Sequence, residues 1–357
     1  MAGAKGYSSY RGRGPRWKIL LAVVLVVVIA VALSVVYLGE HVVYSADGRR
    51  QIVLPWQREE RDAPPDGEEE DPDQPDVSVT VQEPEEQEPR EIAAGSLPAK
   101  ALTAADWTAW SGETENKDFN AVAVRLKTSN GTIYFNFTGA VSGAVETELD
   151  TASTLSALTS REGLHTIASV ACLQDFKAAN ADVEGRGQKN TGGYIFYDGN
   201  NSQWLDPSKP AAREYLCGLA AEIAALGVDE ILVTDLSYPT EGKVHKIDYN
   251  GDGPIEENLA QLLRELRAVL EPLGVTLSVE LPESVVSLGF DEISGQKLSV
   301  IAPLVDRVYS VTAADRIEAL SSAVAAVSES TVFVPELPAG TPTEQLTGMF
   351  LLLPAEG

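Results

Sequence analysis

Residues 92–357 read as an α/β domain, a (β/α)8 TIM barrel, on three observations. Short β-branched runs alternate with segments of helical period, as in a parallel sheet covered by helices. Eight strand runs fall within the span of one barrel, roughly 250 residues. No Gly-rich phosphate turn follows any of them, which weighs against a doubly wound open sheet, the alternative with the same alternation.

The elements follow in order. Ser96–Leu102 is a weak first strand. Ala121–Lys127 is β-branched, and Asn130-Gly131 turns it into a hairpin with Thr132–Phe137. A helix over Thr151–Gly163 leads to a strand at His165–Leu173. Ala211–Leu226 places Leu216, Leu219, Ile223 and Leu226 on one helical face and stops at Gly227. Glu230–Asp235 is the fourth strand. The long helix Ile255–Leu273 follows Pro254, with Glu256 and Glu257 in its first turn, where acids suit the dipole. Val275–Leu281 is the fifth strand; a short helix after Gly295-Gln296 precedes the sixth, Asp306–Val311. Helix Ala313–Val327, strand Thr331–Glu336, a helical turn at Pro342–Gly348 and strand Met349–Pro354 complete the set.

The first 91 residues have another character. Residues 1–18 carry Lys5, Arg11, Arg13, Arg16 and Lys18 and no acid. Ile19–Leu38 is then apolar except for Ser34, long enough as a helix to cross a hydrocarbon layer of about 30 Å. A cleaved signal peptide has a shorter apolar core and a small-residue cleavage site, so the run reads as a transmembrane anchor. The basic flank predicts a single pass with residues 1–18 cytoplasmic and the rest extracellular. Residues 39–91 form a linker; within it, 57–91 hold 15 acids, 3 bases and 6 prolines, too polar to fold and self-repelling. A net charge of −26 excludes nucleic acid as a partner, because phosphate binding needs a basic face.

In a barrel of this kind chemistry sits at the C-terminal strand ends. Those ends offer Arg125 and Lys127, Cys172 and Asp175, Thr234 and Asp235, Glu280 and Glu283, Tyr309, and Glu336. There is no Ser–His–Asp set and no zinc-spaced His/Cys cluster, and the domain's histidines are His165 and His245. Several carboxylates around one rim are the apparatus of glycosidic bond cleavage, one acid protonating the leaving oxygen while another attacks carbon or activates water.

Specific strings then resemble a known family. Trp204-Leu205-Asp206-Pro207, Tyr215, Leu226-Gly227-Val228-Asp229-Glu230-Ile231, Ser294-Gly295-Gln296 and Val305-Asp306, with Asn120–Lys127 and Gly131, are similar to the putative glycoside hydrolase domain family. The resemblance implies a barrel of bacterial envelope proteins, distantly like the alpha-amylases. Thr234 stands at that family's acidic position, Ser237 and Arg125 replace its arginine and aspartate, and Glu280 keeps a carboxylate. Asp235 lies one residue late, so it reaches the rim only where the strand end is bulged or already loop.

The expectation is therefore a membrane-anchored extracellular glycoside hydrolase acting on a polysaccharide, with Glu280 the acid and Asp235 the second carboxylate. Lys127, Asp175, Trp204, Tyr309 and Glu336 are its expected substrate-binding residues. The alternative is a degenerate barrel that binds glycan or protein without cleaving it. Trp204, Tyr194, Phe196 and Tyr197 share the long loop Asp175–Pro207, which either stacks on sugar or packs its own small core. Asp248, Asn250 and Asp252 are spaced like the start of a calcium loop, although Leu259 takes its last position; a tight turn capping the next helix is the other reading. Cys172 and Cys217 are either bridged or free.

Overall fold

The computed structural model describes residues 42–44, 50–52, 91–97, 119–148, 151–250, 253–342, 346 and 348–354. The expected cytoplasmic tail, membrane helix and nearly all of the linker lie outside the described residues, as do Asp252 and most of the expected turn before the last strand. Among the described residues no helix is long and apolar enough to cross a membrane. The chain divides into two units, Met1–Glu85 and Glu86–Gly357. Of the first, Val42–Tyr44 pairs antiparallel with Arg50–Ile52.

The second unit is a closed barrel of eight parallel strands. In chain order these are β1 (Ala93–Ser96), β2 (Ala121–Lys127), β3 (His165–Ala171), β4 (Glu230–Thr234), β5 (Thr276–Glu280), β6 (Arg307–Val311), β7 (Val332–Leu337) and β8 (Phe350–Leu352). Each pairs with its neighbours in sequence, and β8 closes the ring on β1. The open-sheet alternative is thereby excluded.

Two expected strands change. The first lies earlier than Ser96–Leu102, at Ala93–Ser96. Its small side chains leave little apolar signal, yet Ala94 belongs to the interior cluster. Thr132–Phe137 is not a strand: the turn forms, with Gly131 at φ 84° and its N–H donating to Thr128 O, but only Ile133 bridges Lys127 and Val145. Phe135 and Phe137 are buried in the outer core, so their alternation reports burial rather than strand pairing.

Helices pack outside the ring: α1 (Thr151–Thr159), α2 (Phe176–Ala181), α3 (Pro210–Ala225), α4 (Ile255–Leu270), α5 (Glu283–Leu288), α6 (Leu298–Ile301) and α7 (Ile317–Val327). Pro210 opens α3 at a position whose N–H has no helical partner anyway, and Gly227 leaves it at φ 86°. On α4, Leu259, Leu262, Leu263, Leu266 and Leu270 form the buried stripe that a 3.6-residue period demands. The α3 and α4 faces pack together.

Alternation along the strands sorts side chains into two sets. Val122, Val124 and Leu126 join the cluster under the helices, whereas Ala121, Ala123, Ile167, Leu232, Tyr309, Val334 and Leu351 fill the barrel interior. Below that apolar plug lies a floor of charge. Glu230 accepts from His165 Nε2 at 2.8 Å, Ser278 Oγ at 2.5 Å and Tyr309 Oη at 2.8 Å, and pairs with the Arg307 guanidinium. Burial pushes the Glu230 carboxyl up, but the bond from His165 and the charge of Arg307 outweigh it and hold it below the usual range.

Candidate active site

Above the plug the same alternation sends Arg125, Ser169, Thr234, Glu280, Val311 and Glu336 inward. Arg125 is exposed in the middle of an otherwise buried strand, Ser169 is half-buried, and Val311 is 49% exposed. The mouth is therefore open down to this level. Glu336 is recessed at 3% exposure, while Glu280 is half-buried at the end of β5.

Asp235 reaches the same site by a backbone device. β4 ends at Thr234, and Asp235 adopts φ 52°. Left-handed backbone is tolerated by aspartate better than by most residues, and such outliers concentrate at working sites. The residue is thus already loop, the condition under which a carboxyl displaced by one position still serves the rim. Its half-buried carboxyl is pushed up by burial, against the pull of Lys127 and Arg125. Glu280 is raised by burial and by the charge of Asp235, with Arg125 opposing. Glu336 is pushed up to about 8, first by burial and then by the charge of Glu280.

Among the described residues none of these three carboxyls makes a side-chain hydrogen bond or ion pair, and neither does Arg125. The contrast with the floor, where every oxygen of Glu230 is engaged, is chemical. Carboxyls shielded from water and feeling one another's charge hold their protons to higher pH than free ones, and a set containing both protonated and ionised members can act as acid and base together.

A raised carboxyl also has a stability signature. The unfolded chain loses the Glu336 proton near the ordinary value and the folded chain near 8, so stability present in acid drains away as pH rises between them. Glu336→Gln removes that titration. Its melting temperature relative to wild type should climb steadily from about pH 5 to about pH 8.5. A difference independent of pH would show that Glu336 is already ionised in acid.

The remaining expected residues are placed as follows. Lys127 Nζ lies 3.0 Å from Asp175 Oδ2 and donates to Ala171 O at 2.6 Å, both side chains being fully buried. A register shift between Arg125 and Lys127 separates the exposed cation from the buried one. Asp175 also caps α2 through Ala178 N, and a Cβ on Gly131 would meet its Oδ1 at 2.2 Å, so the tight turn is what admits this carboxylate. Lys127 and Asp175 brace the end of β3 rather than face the mouth. Tyr309 lies inside the plug with its hydroxyl on Glu230, fully buried and below the rim.

Trp204 is 8% exposed, packs into the outer core and donates Nε1 to Asp198 Oδ2 at 2.9 Å; Phe196 is buried as well, and Tyr194 and Tyr197 remain exposed. Asp248 Oδ1 accepts from Asn250 N at 3.1 Å and Asn250 Nδ2 donates to Asp206 Oδ2, which closes a turn with Asn250 at φ 55°. Among the described residues no group of three or more His, Cys, Asp or Glu side chains could hold a metal ion. Cys172 and Cys217 are free thiols, pushed up to about 12 and about 11 by burial.

The barrel is similar to the glycoside hydrolase domain of PgaB (BpsB) from Bordetella bronchiseptica, with a TM-score of 0.51 and 15% identity over 74% of this chain and 94% of that one. A hypothetical protein from Ruminiclostridium thermocellum is 20% identical over 52% of this chain and 96% of its own, at a TM-score of 0.45. The glycoside hydrolase domain of PelA from Pseudomonas aeruginosa is 14% identical over 72% and 87%, at 0.40. No curated protein matches the chain. At these identities the first likeness speaks for the fold alone. Residues 110–312, more than half of the chain, match the family model described as "Putative glycosyl hydrolase domain", and the chain belongs to that family.

Proposed function

We propose that this protein hydrolyses glycosidic bonds of a polysaccharide at the cell surface. The observation that carries the reading is the set of unpartnered carboxyls in the barrel mouth, Asp235, Glu280 and Glu336, half-buried or recessed on separate strand ends. Glu280, whose carboxyl is raised by burial and by the charge of Asp235, is the acid that protonates the leaving oxygen. Asp235, raised by burial with the charges of Lys127 and Arg125 opposing, is the second carboxylate, which in its ionised form attacks the sugar carbon or takes the proton of water. Glu336 sits next to Glu280 electrostatically and keeps the leaving-group side of the mouth neutral. Family membership points the same way.

The location is part of the proposal. A basic start, a 20-residue apolar run and an acidic, proline-rich stretch ahead of the barrel fit an anchor and a spacer that hold the mouth away from a membrane. The test is release of reducing ends from a panel of soluble polysaccharides by the full chain in detergent or vesicles. Turnover of at least one member is expected. Saturable binding without turnover across the panel would reassign the barrel as a glycan-binding module, and neither binding nor turnover would remove glycans from the reading.

A further inference from the structure

In the carboxyl chemistry Arg125 is only a neighbouring charge, and its placement is unusual. Ala121 and Ala123, four and two residues before it, pack into the interior plug, so the alternation turns Arg125 into the mouth. It stands beside Ser169 in the register of β2 and β3, the stretch where the interior opens to solvent. The carboxyls around it are recessed or half-buried, whereas the guanidinium is exposed. Although its charge is felt by Asp235, Glu280 and Glu336, no carboxylate comes within ion-pair distance of it among the described residues. The other cation at the end of the same strand, Lys127, is spent on Asp175.

A ligand in the barrel mouth therefore finds an exposed, positive, five-donor fork beside acids that are recessed or half-buried. Guanidinium matches a carboxylate in a planar, two-point fashion that an ammonium cannot copy. Because protonation keeps part of the carboxyl set neutral, the mouth does not repel a single incoming negative charge.

We infer that Arg125 selects a sugar bearing a carboxylate, a uronic acid unit of the glycan, and seats it in the barrel mouth. The inference rests on the glycan reading above and gives it a substrate class. Arg125 is a specificity residue here, and the carboxyls remain the reacting groups.

The experiment is titration calorimetry of the full chain with four tetrasaccharides: galacturonate, cellotetraose, a sulfated cellotetraose and fully de-N-acetylated chitotetraose. Tetragalacturonate should bind tighter than cellotetraose. Arg125→Gln should narrow that preference roughly ten- to a hundredfold, with Arg125→Lys falling between. Near-UV circular dichroism of both variants reports whether the barrel is intact. Tightest binding of the sulfated sugar would replace the carboxylate by a general anion and overturn the uronate assignment. Preference for the cationic sugar, a preference unchanged in Arg125→Gln, or no uronate binding would each overturn the inference. A chain that still binds and cleaves neutral sugar in that last case keeps the hydrolase reading, so the two fail separately.

Discussion

Glu280→Gln is expected to lower kcat on any glycan the protein cleaves by about 10²–10⁴-fold while leaving binding within a few-fold of wild type. Glutamine keeps the size and dipole of the side chain but has no proton to give. The residue makes no side-chain hydrogen bond among the described residues, so the fold loses little. The remaining activity should recover with substrates whose leaving group needs no protonation, such as an activated aryl glycoside. In the wild type, activity should fall on the alkaline side as the protons held by Glu280 and Glu336 are lost, and on the acid side as Asp235 takes one up. Unchanged turnover in Glu280→Gln would assign the acid role elsewhere, with Glu336 the next carboxyl to replace.

Glu230→Gln is the second large effect, and it acts on stability. The carboxylate is fully buried and serves Arg307, His165, Ser278 and Tyr309 at once. Removing its charge strands the Arg307 guanidinium, itself 3% exposed, in the barrel floor. Breaking one side of a buried ion pair costs about 3–5 kcal/mol, a large part of a whole protein's roughly 5–15 kcal/mol. For a domain this size that lowers the melting temperature by about 10 °C. The double replacement Glu230→Leu with Arg307→Met should restore much of it, since two apolar groups leave no stranded charge. The Glu230 carboxyl lies below its unfolded value, so its contribution is present above the ordinary glutamate range and is lost as pH falls through the folded one. A loss in Glu230→Gln no larger than that of an ordinary surface change would refute the stranded-charge account.

Much of the barrel could be read directly. Seven of the eight strand runs, the stop at Gly227 and the leucine stripe of α4 are local patterns, and local patterns survive into the fold because each reports which face is buried. Thr132–Phe137 misled for the same reason: its aromatics are buried, yet its backbone finds no partner strand. The first strand escaped because Ala, Ala, Gly and Ser carry almost no hydropathy signal. At the rim, residue type and strand end were enough to nominate Asp235, Glu280 and Glu336. They were not enough to separate those three from Asp175 and Tyr309, which carry equally polar groups at neighbouring positions.

Taken alone, the amino-acid order determined the charge segregation, the apolar run at Ile19–Leu38, the strand–helix alternation and the chemical type of each strand end. Only the closed ring decided which polar groups are spent. Lys127 finds Asp175 and Tyr309 finds Glu230 across strands distant in sequence, while Asp235 takes a left-handed backbone just past its strand and Arg125 is left facing solvent. The reason is dielectric and geometric: whether a carboxyl is an anchor or an acid depends on the partners and the water within a few ångströms, and those are set by register between strands rather than by order along one.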